Sequence, residues 1–196
     1  MPSTTRNRIV MAALDLFYER GYEATSLKQV AAAAGAHGGS VYHFFPTKAD
    51  LVEAVLEKYR ELLDPVLMAP VRAATTDPIE RVMQLLAGYR ANLVATGFSG
   101  GCPIGALALE LAASHPRALD LVVENFDGWS RAVAAMLDEV GLPPDVSSGD
   151  VASFVLTVME GAVMQAKSYR RIAPFDACVR QLRKYLEGLV VQGSMR

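Results

Sequence analysis

LKQVAAAAGAHGGSVYHF, residues 27–44, sets alanine, glycine and branched apolar residues in the register of a helix-turn-helix. Counted from Leu27 as position one, Val30 is fourth, Ala31 fifth, Ala34 eighth, Gly35 ninth, Val41 fifteenth and Phe44 eighteenth. Two short helices that cross steeply leave no room for a large side chain at the crossing, hence Ala31. The turn between them needs a residue at ease with positive φ, hence Gly35. Val30, Ala34, Val41 and the pair Phe44/Phe45 are expected to fill the small core beneath. A second helix held in this way can lie in the major groove of DNA. The competing reading is an ordinary helix hairpin whose glycine falls there by coincidence.

The flanks extend the pattern. Ser26 with Gln29 has capping-box spacing at the start of the first of these helices. Upstream, Ile9, Ala13, Leu16 and Phe17 keep helical spacing, and Gly21 ends that helix just after Arg20. Downstream, Thr47 and Asp50 mark another helix start, with Leu51, Val55, Tyr59 and Leu62 as its apolar face. The prediction is a three-helix head followed by a longer connecting helix. Residues 24–49 contain no Asp or Glu but do contain Lys28, Lys48, His37 and His43. An acid-free window in a chain of net charge −2 is what a local phosphate-facing surface requires.

TSLKQVAAAAG from Thr25, GGSVYHFF from Gly38 and TKADL from Thr47 together resemble the DNA-binding head of the tetracycline-repressor (TetR) family, over roughly residues 5–60. The resemblance implies roles by position. Thr25 and Ser26, at the start of their helix, and Lys48, at the next helix start, would meet DNA phosphates. Gly39 and Ser40 would let the recognition helix come close to the groove. Tyr42 would hydrogen-bond phosphate and His43 would face base edges. Phe45 would be core. Two positions depart from the common pattern: His37 stands where Ser or Thr often caps the recognition helix, and Gly38 stands where lysine is frequent.

At 196 residues and 52% hydrophobic content the chain has room for one head and one larger helical domain. The boundary is drawn between residues 1–48 and 49–196. The expected fold is all-α with about nine helices, because no segment alternates at period two. Helices are predicted at about 78–96, 102–113, 116–140, 149–171 and 174–190, with breaks at the loop 98–101 and at Gly141, Pro143 and Pro144. No apolar run is long enough to span a bilayer, and no basic stretch followed by an apolar one opens the chain, which predicts a cytoplasmic protein with no membrane association. The two cysteines, Cys102 and Cys178, give no disulfide framework. Three histidines without metal-ligand spacing predict no metal, and nothing in the sequence calls for a cofactor.

The last two predicted helices carry broad apolar stripes. Val151, Val155, Val158, Ala162 and Ala166 form one, widened by Phe154 and Met159. Cys178, Leu182, Tyr185 and Leu189 form the other, with Val179 and Leu186 alongside. These stripes are either internal core or an interface. In the TetR family the corresponding pair makes a four-helix bundle with its copy, so the resemblance implies a homodimer through about 149–171 and 174–190. Such a dimer would read a double-stranded DNA operator as two half-sites.

A cavity within the larger domain would be lined by Leu86, Tyr89, Leu93, Phe98, Cys102, Leu107, Leu111, Phe126, Trp129, Met159 and Met164, although any helical core uses the same residue types. GGCPIGALALELA from Gly100 resembles the LmrA- and YxaF-like subgroup of the family, which implies a repressor released by a small hydrophobic effector. An alternative gives Cys102, at a helix N-terminus, a thiolate that senses electrophiles or oxidants. Two further readings compete with a regulator: an enzyme using Cys102 with His115, and a helical interaction module with a vestigial head. Catalysis is not expected.

Overall fold

The computed structural model describes residues 4–111 and 115–194, and every regular element among them is helical. The chain forms two compact units. The first comprises residues 1–61 and 103–125, and the second comprises 62–102 and 126–196. The division differs from the boundary drawn at 48/49. The connecting helix packs in the unit that holds the head, and so does a segment from the middle of the chain.

The first unit begins with α1 (Thr5–Arg20), whose buried face is Ile9, Val10, Ala13, Leu16 and Phe17. Gly21 ends it at φ 88°, and its N–H donates to Phe17 O at 2.9 Å. The φ of Gly21 favours glycine, and a Cβ there would lie 2.9 Å from a Glu110 carboxylate oxygen, which would have to move aside. Helix α2 (Leu27–Ala33) opens with the expected capping box, Ser26 and Gln29 satisfying each other's backbone N–H. Gly35 turns the chain at φ 58° into α3 (Gly38–Phe44). Val30, Ala31, Ala34, Val41 and Phe45 are buried beneath the two helices. Phe44 is a correction: it is 38% exposed, and only its neighbour Phe45 turns inward, because consecutive helical residues point about 100° apart.

Helix α4 (Lys48–Leu62) starts where Thr47 N–H and Oγ donate to Asp50 Oδ2 and Asp50 N–H donates back to Thr47 Oγ. Its apolar face is Leu51, Val52, Ala54, Val55 and Leu56, whereas Tyr59 and Leu62 are only half-buried. The other helices of this unit are α7 (Pro103–Leu111) and the first half of α8 (Pro116–Leu137). Ala112 and Ala113, expected to continue α7, lie outside the described residues. Asn125 of α8 is 6% exposed and donates to Leu56 O at 3.1 Å and Leu121 O at 2.8 Å, which fixes α8 against α4.

The second unit opens with a π-helical turn, Leu63–Met68, which the apolar spacing did not foretell. Pro65 lies inside it and offers no N–H, so the regular i→i−4 ladder cannot run through. After α5 (Ala69–Ala74) come α6 (Pro78–Ala95), the second half of α8 with a 3-10 turn at Asp138–Val140, α9 (Ser148–Tyr169) and α10 (Ala173–Ser194). Asp77 caps α6 by accepting from Ile79 N and Glu80 N. Helix α10 runs four residues beyond the predicted end at 190.

The backbone requirement at Gly35 separates it from Gly39. Neither position has an atom within 4 Å of an added Cβ. Gly35→Ala should therefore cost about 1 kcal/mol for left-handed φ alone. Gly39→Ala, in the first turn of α3, should be neutral or stabilise by about 0.5 kcal/mol. Urea unfolding of the two variants measures both.

Candidate functional site

Helix α3 presents an open face. His37 precedes it in extended conformation and supplies no side-chain cap, but its carbonyl accepts from Ser40 N at 2.9 Å. His37, Gly38, Gly39, Tyr42 and His43 are all exposed, Tyr42 to 59%, and Ser40 is half-buried. The His43 ring stands edge-on to Phe44 with centroids 5.1 Å apart. Val41 and Phe45 fix this helix from below.

The other sequence-predicted DNA contacts lie differently. Thr25 is a correction: it is 2% exposed, and its hydroxyl donates to Gly21 O at 2.8 Å, so it closes the end of α1 rather than facing phosphate. Ser26 is exposed but engaged with Gln29. The Lys48 ammonium lies 4.1 Å from the Tyr22 ring centroid and donates to Glu23 O at 3.3 Å. Tyr22 in turn hydrogen-bonds His115 Nε2 at 2.9 Å, and Glu110 of α7 accepts from Glu23 N at 2.8 Å. Burial pushes the Tyr22 phenol above its usual range, and Glu23 adds to the shift. Sequence reasoning missed Tyr22, Glu110 and the partner of His115, since nothing local signals a contact across about ninety residues.

The predicted effector-cavity residues divide between the units. Leu86, Tyr89, Leu93, Cys102, Trp129 and Met159 are buried in the second, and Phe98 and Phe126 are half-buried there. Phe98 has left-handed backbone at φ 67°, a cost that its N–H bond to Leu93 O at 2.8 Å helps offset. Leu107 and Leu111 are buried too, but in the first unit. Met164 is a correction. It is 60% exposed, because five residues beyond the buried Met159 a helix has turned about 140° away.

One polar group in the second unit was not anticipated. Glu160 sits mid-helix in α9 with Oε1 buried and unpartnered among the described residues, while the Cys102 thiol hydrogen-bonds the same carboxyl. Burial pushes this carboxyl above the usual glutamate range, and the Cys102 hydrogen bond pulls it partly back. Trp129 Nε1 is likewise buried without a partner. Cys102 is 8% exposed and acts as a donor, unlike the accessible thiolate that an electrophile or oxidant sensor needs, so that alternative finds no support.

Residues 9–55 match the bacterial regulatory proteins of the tetR family, and residues 78–181 match the transcriptional regulator LmrA/YxaF-like C-terminal domain. The chain belongs to the TetR family of transcriptional regulators. It is 32% identical over 188 residues to an uncharacterized HTH-type transcriptional regulator of Mycobacterium tuberculosis, covering 92% of this chain and 93% of that one. It is 25% identical over 175 residues to the HTH-type transcriptional repressor DhaR of a Mycobacterium species, covering 87% and 86%. Its fold is similar to the crystal structure of regulatory protein TetR from Rhodobacter sphaeroides, with TM-score 0.82, 24% identity, and 93% and 98% of the two chains covered.

This TetR-family regulator thus carries the expected helix-turn-helix on an all-helical frame, and no helix among its described residues is long and apolar enough to cross a membrane. The raised Glu160 carboxyl makes its second unit sensitive to pH. A carboxyl whose folded pKa exceeds its unfolded one stabilises most below the unfolded value, and that contribution is lost as pH rises through the folded value. Stability of the wild type relative to Glu160→Gln should therefore fall from the ordinary glutamate range upward. Urea unfolding of both proteins across pH 4–8 reads it, and parallel curves would refute it.

Proposed function

We propose that this regulator is a repressor that binds a palindromic operator as a homodimer in the cytoplasm and is released by a small, largely hydrophobic effector. The observation that carries the DNA half is the acid-free face of α3, where His37, Tyr42 and His43 stand exposed around two glycines. With no Cβ at Gly38 and Gly39, the helix can approach base edges and phosphates closely. Tyr42 hydrogen-bonds phosphate, His43 reads a base, and Lys48 reaches phosphate from its seat on Tyr22. The relative named a repressor supports the direction of control.

The dimer rests on apolar groups that the single chain leaves uncovered. Phe154 of α9 and Tyr185 of α10 are 45% and 43% exposed, with rings edge-on at 5.2 Å, and Val191 is 56% exposed. Val151, Val155, Met159, Ala162, Ala166, Leu182, Leu186 and Leu189 of the two stripes are internal core, and Val158, Cys178 and Val179 are half-buried. Pairing α9 and α10 with their copies covers the exposed remainder in a four-helix bundle. Phe154→Glu combined with Tyr185→Glu should give a folded monomer by sedimentation, and a loss of operator affinity of at least tenfold should follow from losing one half-site.

The effector half rests on Glu160 and Trp129. Buried polar atoms without partners are rare and costly, and a ligand that supplies a donor to Glu160 and an acceptor to the Trp129 indole resolves both. The effector is therefore apolar over most of its surface, with a few polar groups. Its release of DNA requires tighter binding to the form that does not fit the operator.

Selection from a randomised duplex pool at about 0.1 M salt should enrich a palindrome. On that sequence, His43→Ala should cost about 1–3 kcal/mol and relax the base preference at one position per half-site. Tyr42→Phe should weaken all sequences alike, by about 1 kcal/mol. No enrichment, with only weak salt-sensitive binding, would overturn the DNA reading. A compound that raises the melting temperature yet leaves operator affinity unchanged would overturn the release mechanism.

A further inference from the structure

The packing of α6 against α10 leaves an open groove of about 500 Å³ in the second unit. Its floor is apolar: half-buried Val179 of α10, with Met83 and Leu86 of α6 and Phe175 of α10, which are almost fully buried. Its rim carries Arg90, Arg180, Arg183 and Lys184 beside Asp176 and Glu187, with Glu80 reaching Arg183. Both rim acids are already used. Asp176 accepts from Arg90 Nε at 2.8 Å and from Arg90 Nη2 at 3.1 Å, a bidentate fork. Glu187 faces Arg183 at 3.5 Å, and Arg183 is also forked onto Glu80. Arg180 and Lys184 have no carboxylate partner among the described residues.

The sequence places these two cations four residues apart on α10, one turn of helix. Like charges at that spacing repel along a helix, a cost that a counter-anion between them removes. The two paired guanidiniums hold the rim's geometry and keep N–H groups that their forks do not use, since each guanidinium has five. An anionic head satisfies Arg180 and Lys184, and an apolar tail covers the floor. A cationic ligand would meet only acids that arginine already neutralises.

We propose that the α6–α10 groove is a binding site for an amphipathic anion, a carboxylate or phosphate monoester on an aliphatic tail of medium length, held by Arg180 and Lys184. The site lies apart from Glu160 and Trp129 and does not depend on the effector reading. Both walls belong to the second unit, so occupancy stabilises the contact between α6 and α10.

The full chain is titrated below the micellar range with decanoate and, separately, with decyl phosphate, by calorimetry and thermal unfolding. Acetate supplies the head without the tail, and decyltrimethylammonium supplies the tail with the opposite charge. The expected result is saturable one-per-chain binding of at least one decyl anion, with a rise in melting temperature, and neither effect from the two controls. The preference between the two decyl anions tells carboxylate from phosphate. Arg180→Gln with Lys184→Gln should weaken binding at least tenfold while circular dichroism stays unchanged, and Val179→Asp should do the same from the floor. If the double variant loses helicity, Lys184→Gln alone should still weaken binding by about threefold. Equal binding of decyltrimethylammonium, non-saturating uptake, or decyl-anion affinity unchanged in folded variants would overturn the proposal, the last because it places the ligand elsewhere in the protein.

Discussion

Tyr22 is 3% exposed and touches three other segments of its unit. Its ring meets the edge of Phe17 from α1 at 5.4 Å and that of His115, just before α8, at 5.4 Å, and it carries the Lys48 ammonium from the start of α4 on its face. A buried phenol needs a partner for its hydroxyl, and His115 Nε2 provides it. Glu110 reinforces the same corner by accepting from Glu23 N beside the space that Gly21 leaves empty. The loop from Gly21 to Ser26 sets the angle at which α2, and through the Gly35 turn α3, leaves α1. That loop is held by residues about ninety positions later in the chain. The head is therefore not self-contained, which is why the compact unit includes 103–125 and why a boundary at residue 48 cuts through it.

The same corner shapes the electrostatics of the DNA-facing side. The acid-free window ends at Glu23 and Asp50, and the Asp50 carboxylate has a structural duty. Asp50 accepts from Thr47 N–H and hydroxyl, and these hydrogen bonds hold its carboxyl below the usual range. A carboxylate at the N-terminus of α4 is also favoured by the helix dipole. Lys48, on the other side of that start, rests on the Tyr22 face and donates to Glu23 O, so its charge is held in place. Ordering one cation in advance reduces the side-chain entropy that a phosphate contact would otherwise cost.

Local rules made much of this legible before any coordinates. Caps at Ser26, Thr47 and Asp77, the positive φ at Gly35 and the buried faces of α1, α2 and α4 all depend on residues within one or two turns of each other, and a sequence displays those. What failed depended on direction or on distance. Phe44 and Phe45 are chemically identical, and only the phase of α3 decides which is core. Thr25 has the composition of a phosphate contact, but its hydroxyl finds the end of α1 first. Met164 shares its residue type with Met159 but not its face. The π turn follows from Pro65, which the apolar spacing ending at Leu62 does not signal, and the burial around Glu160 Oε1 comes from other elements. The predicted DNA face on α3 is gathered on one surface, whereas the predicted cavity residues are split between two units.

A buried glutamate with an unpartnered oxygen is a poor stabiliser, and an apolar residue at 160 would pack without the desolvation cost. That cost has a use in the proposed mechanism. In the proposed mechanism, a ligand donor that reaches Glu160 gains a hydrogen bond to its buried Oε1, away from water, where such bonds are stronger. The gain is available only in the conformation that brings ligand and carboxyl together, so it enters as differential affinity rather than as uniform binding. Moving a two-state protein from 1:99 to 99:1 needs a preference of about 10⁴, roughly 5.5 kcal/mol. Apolar contacts, which adapt to either conformation, contribute little to that difference. In the proposed mechanism, directional bonds to Glu160 and Trp129 depend on the helix positions, so they contribute to that difference.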